Sequence, residues 1–265
     1  MKKILSILLF VSMLVVSGFA MAQEDNSLTA IKEKSTFVLG FDPGFPPMGY
    51  RDDTGAYVGF DLDVAKEVAK QLEVELILQP IDWAAKEMEL SSGNIDCIWN
   101  GMTVTPDREE AMSLSLPYLE NAQVICVLAD SPYTALTDFA GKTISLQAGS
   151  SAEDALDASG DFKDNLTEAV KFENNVAALL DLDNGNCDGV LIDIIVANYY
   201  IAQKGANYRV LDEALAPEQY AIGFRKDDIA LTDAVNDILL AMAKEGSLAE
   251  ISTTWFSEDI TIIDQ

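Results

Sequence analysis

The sequence predicts an α/β protein with two lobes, each a mainly parallel sheet flanked by helices. Segments with strand and helix patterns alternate along residues 36–99, and the alternation starts again after residue 130. No low-complexity stretch separates the halves, so we expect extended strands rather than a flexible linker to join them. A chain of 265 residues is long enough for two such lobes.

The first 22 residues have the pattern of a cleavable secretion signal. Lys2 and Lys3 precede an apolar run, Ile4 to Val16, that is too short to span a bilayer comfortably. Ala20-Met21-Ala22 forms an A-x-A cleavage site, after which we expect the mature chain to begin. No cysteine comes at the cleavage site after the apolar run, so we expect an unanchored protein of the periplasm, with the outside of the cell as the alternative, that is not inserted in the membrane.

Hydrophobic spacing predicts the elements of the first unit. Apolar residues between Val64 and Leu72 have helical spacing, with Asp61 or Asp63 as the cap of a helix over 61–72. The other predicted elements are a strand at 36–41, a Gly/Pro-rich loop at 42–49, a strand at 74–79, a helix at 83–90 and a strand at 95–99.

The second unit repeats this order. The segment GKTISLQAGSSAEDAL predicts strand, turn and helix, and NNVAALLDLDNGNCDGVLIDIIVANYYIA predicts helix, turn, strand and helix. A strand at 220–224 and two helices, near 228–243 and 248–255, close the chain. A binding site is expected in the cleft between two such lobes.

Composition excludes several classes of function. The net charge is −27, so we expect repulsion from nucleic acid and from anionic membranes. The chain has no histidine, which rules out His-dependent catalytic triads and His metal sites. Cys97, Cys126 and Cys187 are odd in number and lie in apolar or turn contexts, so we expect buried thiols rather than a disulfide.

Arg108 is the first candidate site residue. Thr105-Pro106 predicts a helix start, which places Arg108 in the first helical turn, where the helix dipole disfavours a cation. Together with the hydroxyl of Thr103 and free backbone N–H groups, its guanidinium would bind a carboxylate. The alternative is a surface ion pair between Arg108 and Glu109 or Glu110.

Asp193 is the second candidate, because it lies within the apolar segment GVLIDIIV. A lone buried carboxylate is costly unless it is paired, and a ligand ammonium would pair it. The alternative is a helix N-cap, a role that is compatible with facing the cleft.

Further candidates lie in loops and turns. Phe45 and Trp83 would wall a pocket, and Asp42 precedes Phe45 by three residues, although each alone is better explained by packing or a turn. The turn in LQAGSS, residues 146–151, offers N–H groups and hydroxyls to an anion. The segment DLDNGNCDG lacks Gly and Glu at the positions that a calcium loop requires, so we expect a turn rather than a metal site there.

Five motifs, in order, resemble the polar amino-acid-binding proteins of bacterial ABC importers, solute-binding protein family 3. They are FDPGFPPMGY, GFDLDVAKEVAK, GNIDCIWNGMTVTPDR, SLPYLENA and DGVLIDIIVANYYI. The resemblance implies a two-lobed type II periplasmic binding protein with two crossing strands as a hinge, near 118–122 and 216–220. It implies lobe 1 at residues 23–119 and 218–265, and lobe 2 at residues 120–217.

The resemblance also implies a ligand site. Arg108 would bind the α-carboxylate of the ligand with help from Gly101, Thr103 and Ser151, and Asp193 would bind the α-ammonium. The remaining implied ligand-binding residues are Asp42, Phe45, Trp83, Met102 and Gln147. Asn100 and Ile192 depart from the pattern of the family.

The expected function is capture of an L-amino acid, polar or cationic, and its delivery to a membrane permease. Glutamine, cystine, arginine and histidine stay open as ligands, and we expect a monomer without cofactor or metal. Two alternatives are a cyclohexadienyl or arogenate dehydratase on the same fold, which needs a positioned general acid, and a sensory module that presents its ligand to a receptor.

Overall fold

The structure is a computed structural model that describes residues 25–203 and 205–263, except for the side chain at position 203. The predicted signal segment, residues 1–22, lies outside the described residues. Following the predicted boundaries, we call residues 25–119 and 218–263 lobe 1 and residues 120–217 lobe 2. The boundaries themselves stay a prediction.

Lobe 1 alternates strands and helices in its N-terminal part. Its elements are α1 (Ser27–Lys34), β1 (Thr36–Phe41), β2 (Gly44–Phe45), β3 (Gly49–Arg51), β4 (Tyr57–Val58), α2 (Phe60–Gln71), β5 (Glu75–Pro80), a 3-10 turn (Trp83–Ala85), α3 (Lys86–Ser91), β6 (Cys97–Thr103), α4 (Pro106–Ala111) and β7 (Met112–Leu114). The strand predicted at 36–41 is confirmed in full. The strand predicted at 95–99 is found as β6, which begins later and runs on to Thr103.

Lobe 2 has the second set of elements, and two helices return to lobe 1. They are β8 (Leu119–Leu128), a 3-10 turn (Leu136–Phe139), β9 (Thr143–Gln147), α5 (Ser151–Ala158), α6 (Asp161–Asn165), β10 (Glu168–Phe172), α7 (Asn175–Asp183), β11 (Gly189–Asp193), α8 (Ile194–Gln203), β12 (Tyr208–Arg225), α9 (Ile229–Glu245) and α10 (Ser247–Phe256). The strand predicted at 220–224 is the last part of β12, which is much longer.

One sheet runs through both lobes in the order β10-β9-β11-β8-β12-β6-β1-β5. In lobe 1, β1 is parallel to β5 and β6, and in lobe 2, β9 is parallel to β10 and β11. Between them β8 and β12 pair in antiparallel fashion, with Leu119 opposite Tyr220 at one end and Leu128 opposite Tyr208 at the other. The predicted α/β class is confirmed, and two long strands carry the chain from one lobe to the other.

Helix α2 corrects one predicted cap. The residue before the helix is Gly59, with φ +150, and no side chain caps the helix. Asp61 instead lies inside the first turn, fully buried, and its Oδ2 accepts a hydrogen bond of 2.7 Å from the backbone N–H of Gly101 in β6. The prediction of Asp61 or Asp63 as N-cap was wrong because the carboxylate of Asp61 bonds the neighbouring strand rather than its own helix.

The buried apolar residues form three clusters, and the largest, which draws on both lobes, includes the three cysteines. Cys97, Cys126 and Cys187 are buried and free, as expected, and burial raises the pKa of the Cys126 thiol to about 12. Within the part of the chain that the structure describes, no helix combines the length and the apolar character needed to cross a membrane.

Candidate ligand-binding site

A narrow cavity lies where the two lobes meet, next to the crossing strands. Eight of the ten predicted site residues line it, together with Ser150, which the sequence argument did not single out. The predicted residues are Phe45, Trp83, Gly101, Thr103, Arg108, Gln147, Ser151 and Asp193. Its free volume is about 10 Å³, near the minimum for one water molecule, so side chains of the two lobes contact each other across it.

Arg108 occupies the lobe 1 end of the cavity. Thr105 caps α4 by accepting a hydrogen bond of 3.3 Å from the backbone N–H of Arg108, and Pro106 opens the helix, as predicted. The Arg108 side chain is 6% exposed, and its Nη1 donates to the carbonyl of Thr103 at 2.7 Å. Glu109 and Glu110 are exposed, which argues against the alternative of a surface ion pair.

The hydroxyl of Thr103 joins this end of the cavity to lobe 2. Its Oγ1 lies 3.0 Å from the Oγ of Ser151, the first residue of α5. Arg108, Thr103 and Ser151 therefore form one group of donors at the cavity, with a guanidinium fork, two hydroxyls and the start of a helix. That combination suits a carboxylate.

Asp193 lies at the last position of β11 and is 5% exposed. Its Oδ1 accepts three hydrogen bonds, from Asn121 Nδ2 at 2.7 Å, Gln123 Nε2 at 3.0 Å and the Tyr220 hydroxyl at 2.7 Å. Burial, followed by the negative charge of Glu218, raises the pKa of Asp193 to about 7, although the hydrogen bonds act in the opposite direction. A cation that entered the cavity would stabilise the ionised form.

The sequence argument missed three polar residues around Asp193, namely Asn121, Gln123 and Glu218. All three come from the crossing strands β8 and β12, and Glu218 accepts hydrogen bonds from the amides of Asn121 and Gln123 and from Thr103. The only signal was their spacing, since Asn121 and Gln123 are two apart and so share one face of β8. Nothing in the sequence indicated which face would be turned to the cavity.

Asp42 and Gln147 meet across the cleft. Gln147 Nε2 donates to Asp42 Oδ2 at 2.7 Å, and Asp42 is 6% exposed. Asn100 holds the start of the loop that follows β1, because its Oδ1 accepts from the Asp42 backbone N–H at 3.0 Å. Burial raises the pKa of Asp42, and Glu173 and Asp82 raise it further through their charge. Asn100, which departs from the family pattern, thus has a structural role in holding Asp42.

The strand β6 divides its side chains between the cavity and the core. Gly101 and Thr103 face the cavity, while Met102 between them is fully buried against Ile98 and Met112, because side chains alternate along a strand. Met102 therefore lies away from the cavity, whereas Asp42, the other predicted residue that does not line it, contacts Gln147 of its lining. Gly101 has φ +59, and a Cβ there would stand 2.7 Å from the Phe45 ring. Glycine at this position therefore allows β6 to pack directly against Phe45.

A wider cavity of about 630 Å³ opens beside the narrow one and shares Trp83 with it. Three carboxylates line this outer cavity, those of Asp42, Asp82 and Glu173, and one cation, Arg51. The outer cavity is therefore negative overall, and it lies next to the end of the site that holds Asp42. A positively charged group is favoured there by electrostatics.

Comparisons with known proteins find similarity along most of the chain. The sequence model of the bacterial extracellular solute-binding proteins, family 3, matches residues 37–258. The L-cystine-binding protein TcyJ of Escherichia coli (strain K12) is 28% identical over 248 residues, which cover 93% of this chain and 91% of that protein.

Two solved structures are similar in fold as well as in sequence. One is a substrate-binding protein of an ABC uptake transporter from Streptococcus pneumoniae with bound histidine, 37% identical, with a TM-score of 0.87 over 90% of this chain and 98% of that one. The other is Tv2483 bound to L-arginine, 29% identical, with a TM-score of 0.87 over 92% of this chain and 99% of that one.

Proposed function

The chain belongs to the bacterial extracellular solute-binding proteins of family 3, and we propose that it is the receptor of an amino-acid importer. Its fold is that of a type II periplasmic binding protein, as the sequence predicted. In this proposal an L-amino acid binds between the lobes, and the lobes close on it. The closed form then delivers the amino acid to an ABC permease in the membrane.

The observation that carries the proposal is the pair of opposite charges in one cavity. Arg108 with Thr103 and Ser151 suits the α-carboxylate, and Asp193 suits the α-ammonium. Both ends are almost fully buried, so each would be satisfied by the matching end of a zwitterion. Phe45 and Trp83 supply the apolar walls against which the carbon atoms of the ligand would lie.

The side chain of the ligand is proposed to be polar or cationic. Asp42 lies at the junction of the narrow and outer cavities, and Asp82 and Glu173 add negative charge beyond it. The similar proteins bind cystine, histidine and arginine, which all carry polar or cationic side chains. Arginine and histidine fit the negative outer cavity best, and cystine and glutamine remain candidates.

The proposed receptor works outside the cytoplasm as a monomer. A cleavable signal at residues 1–22 would export it, and a surface as acidic as that implied by a net charge of −27 suits a freely diffusing protein. We propose binding rather than catalysis, because the proteins it resembles are binding proteins. Ligand contacts made only between closed lobes would favour the closed form.

Thermal melting of the mature protein tests this proposal. The protein is refolded from denaturant to remove carried ligand and is then melted with each common L-amino acid, cystine, ornithine and prephenate. A ligand that binds only the native state raises the melting temperature by mass action. We expect one or a few L-amino acids to give a shift, and Arg108→Ala to abolish it.

The matched control is Arg209→Ala. Arg209 also donates to backbone carbonyls, those of Ser131 and Tyr133, but does not line the cavity, so the shift should persist in this variant. A shift in Arg108→Ala equal to that of the wild type would show that Arg108 does not bind the carboxylate of the ligand. A shift with prephenate alone, accompanied by its turnover, would favour a dehydratase instead.

A further inference from the structure

Glu218 lies on β12, in the segment that crosses between the lobes, and is half-buried. Its Oε2 accepts three hydrogen bonds, from Thr103 Oγ1 at 3.0 Å, Asn121 Nδ2 at 2.7 Å and Gln123 Nε2 at 3.1 Å. Glu218 does not itself line the narrow cavity. It therefore acts on the site through other residues.

The same two amides serve Asp193 as well. Asn121 Nδ2 and Gln123 Nε2 each donate both to Asp193 Oδ1 and to Glu218 Oε2. Each of the two amide nitrogens therefore bridges one oxygen of Asp193 and one oxygen of Glu218. Two carboxylates held this close in a buried setting repel each other, and the repulsion disfavours the state in which both are ionised.

Charge around the pair does not remove this repulsion. Tyr220 on β12 faces Asp193 as a neutral donor, and Arg108 on α4 is the cation whose charge interacts with both carboxylates. Asp154 on α5 and Glu87 on α3 each act on Arg108 more strongly than either carboxylate of the pair does. Lys86 on α3 faces Arg108 and the carbonyl of Gly149, not the pair.

We propose that Glu218 is a positioning residue of the ammonium-binding end, and that with Asp193 it holds one proton that a bound amino acid displaces. The proposal rests on the proposed function, because it takes the α-ammonium of the ligand as the partner of Asp193. The raised pKa of Asp193, about 7, with Glu218 as its second cause after burial, supports the same conclusion.

The protons balance in a simple way. The ligand enters with its ammonium intact and keeps its three N–H protons, and the proton of the carboxylate pair leaves to the solvent buffer. Below about pH 7 capture therefore releases up to one proton, and affinity rises about tenfold for each pH unit until the pair is ionised. At higher pH the affinity becomes independent of pH, as long as the ligand itself stays a zwitterion.

Titration calorimetry of the mature protein measures this release. L-Arginine and L-glutamine serve as probes, since their charges are constant between about pH 5.5 and about pH 7.5, and two buffers with different heats of ionisation give the number of protons released. For the wild-type protein we expect close to one proton at the lower pH and affinity at least about tenfold weaker there. In Glu218→Gln the repulsion is absent and only burial still raises the pKa of Asp193, so proton release and the pH dependence of affinity should both fall.

Two further variants separate this role from a merely structural one. Glu218→Asp keeps the charge and should therefore show the pH dependence of the wild type. Glu120→Gln removes an exposed carboxylate from β8, next to Asn121, and should match the wild type. Equal proton release in the wild type and Glu218→Gln would overturn this proposal while leaving the proposed function intact. Failure of both probes to bind at any pH would overturn the ligand step and the proposed function together.

Urea unfolding without ligand gives an independent readout. Since a raised carboxyl pKa lowers the folding stability as pH rises toward that pKa, Glu218→Gln should gain stability over the wild type between about pH 5 and about pH 8. A difference between the two proteins that does not change with pH would show that the pair holds no proton, and would overturn the proposal.

Discussion

Asp61 is a fully buried carboxylate with one firm partner, the backbone N–H of Gly101 at 2.7 Å. Burial raises the pKa of Asp61 to about 7, and the donors of Gly101, Tyr118 and Trp99 offset only part of this. Through Gly101 the carboxylate holds the part of β6 that lines the narrow cavity. A residue outside the cavity thus fixes the backbone of the site, and burying its carboxylate costs folding free energy by an amount that depends on pH.

Asp61→Asn should change how stability depends on pH. The folded-state pKa of Asp61 lies above the usual unfolded value of about 4, so its contribution to the free energy of unfolding falls as pH rises from about 4 to about 7. The variant lacks this loss, and we expect it to gain about 2 kcal/mol relative to the wild type between about pH 5 and about pH 8. Urea unfolding at both pH values measures the gain.

The control for this prediction is Asp63→Asn, which removes the same charge from the same helix at a half-buried position. An equal gain in this variant would show that the gain comes from loss of charge on the helix and not from the burial of Asp61. Parallel stability curves for Asp61→Asn and the wild type would show that Asp61 is ionised in the folded protein throughout this range.

At the scale of elements, local signals predicted best. The Thr105-Pro106 start of α4 and the strand at 36–41 depend on short-range chemistry, and both were found where expected. The long strands β8 and β12 and the face that they turn to the cavity depend on pairing between residues far apart in the chain. For this reason the roles of Asn121, Gln123 and Glu218 could not be predicted, whereas Arg108 and Asp193 stood out through their immediate neighbours.

The turn between β9 and α5 links lobe 2 to lobe 1. Gln147 donates to Asp42 at 2.7 Å, and Lys86 Nζ donates to the carbonyl of Gly149 at 2.8 Å. Gly149 has φ +67, and a Cβ there would stand 2.9 Å from Ala84, so the turn packs directly on lobe 1. These contacts exist only while the lobes are together, and they contribute to the stability of the closed form.

Gln147→Ala should therefore shift the protein toward an open form. Losing the bond to Asp42 leaves a buried carboxylate with one partner fewer, at a cost of about 1–2 kcal/mol, or a factor of about 5–30 in the closing equilibrium. Small-angle X-ray scattering without ligand should give a larger radius of gyration than for the wild type. Gln79→Ala, an exposed glutamine on β5, should leave the radius unchanged, and an unchanged radius in Gln147→Ala would show that this bond does not hold the lobes together.

At the scale of the whole molecule, the crossing strands β8 and β12 connect the two lobes covalently. Contacts around the cleft also join the lobes, such as the hydrogen bond of 3.2 Å between the hydroxyls of Tyr199 and Tyr50. The narrow cavity has too little free volume for an amino acid in this arrangement. Entry and release of a ligand thus require the lobes to separate.

A disulfide across the cleft should block that separation. A Cβ on Gly44 in lobe 1 would stand 3.3 Å from the Cβ of Asn174 in lobe 2, close to the spacing that a disulfide needs. The three native thiols are buried and should not compete, although Asn174→Cys gives up the N-cap bond to Ala177, at a cost of about 1 kcal/mol. In the oxidised Gly44→Cys/Asn174→Cys protein we expect neither uptake nor release of radiolabelled amino acid, and full exchange after reduction. Each single variant should exchange normally under oxidising conditions, and exchange through the intact disulfide would mean that the ligand enters by local side-chain motion without movement of the lobes.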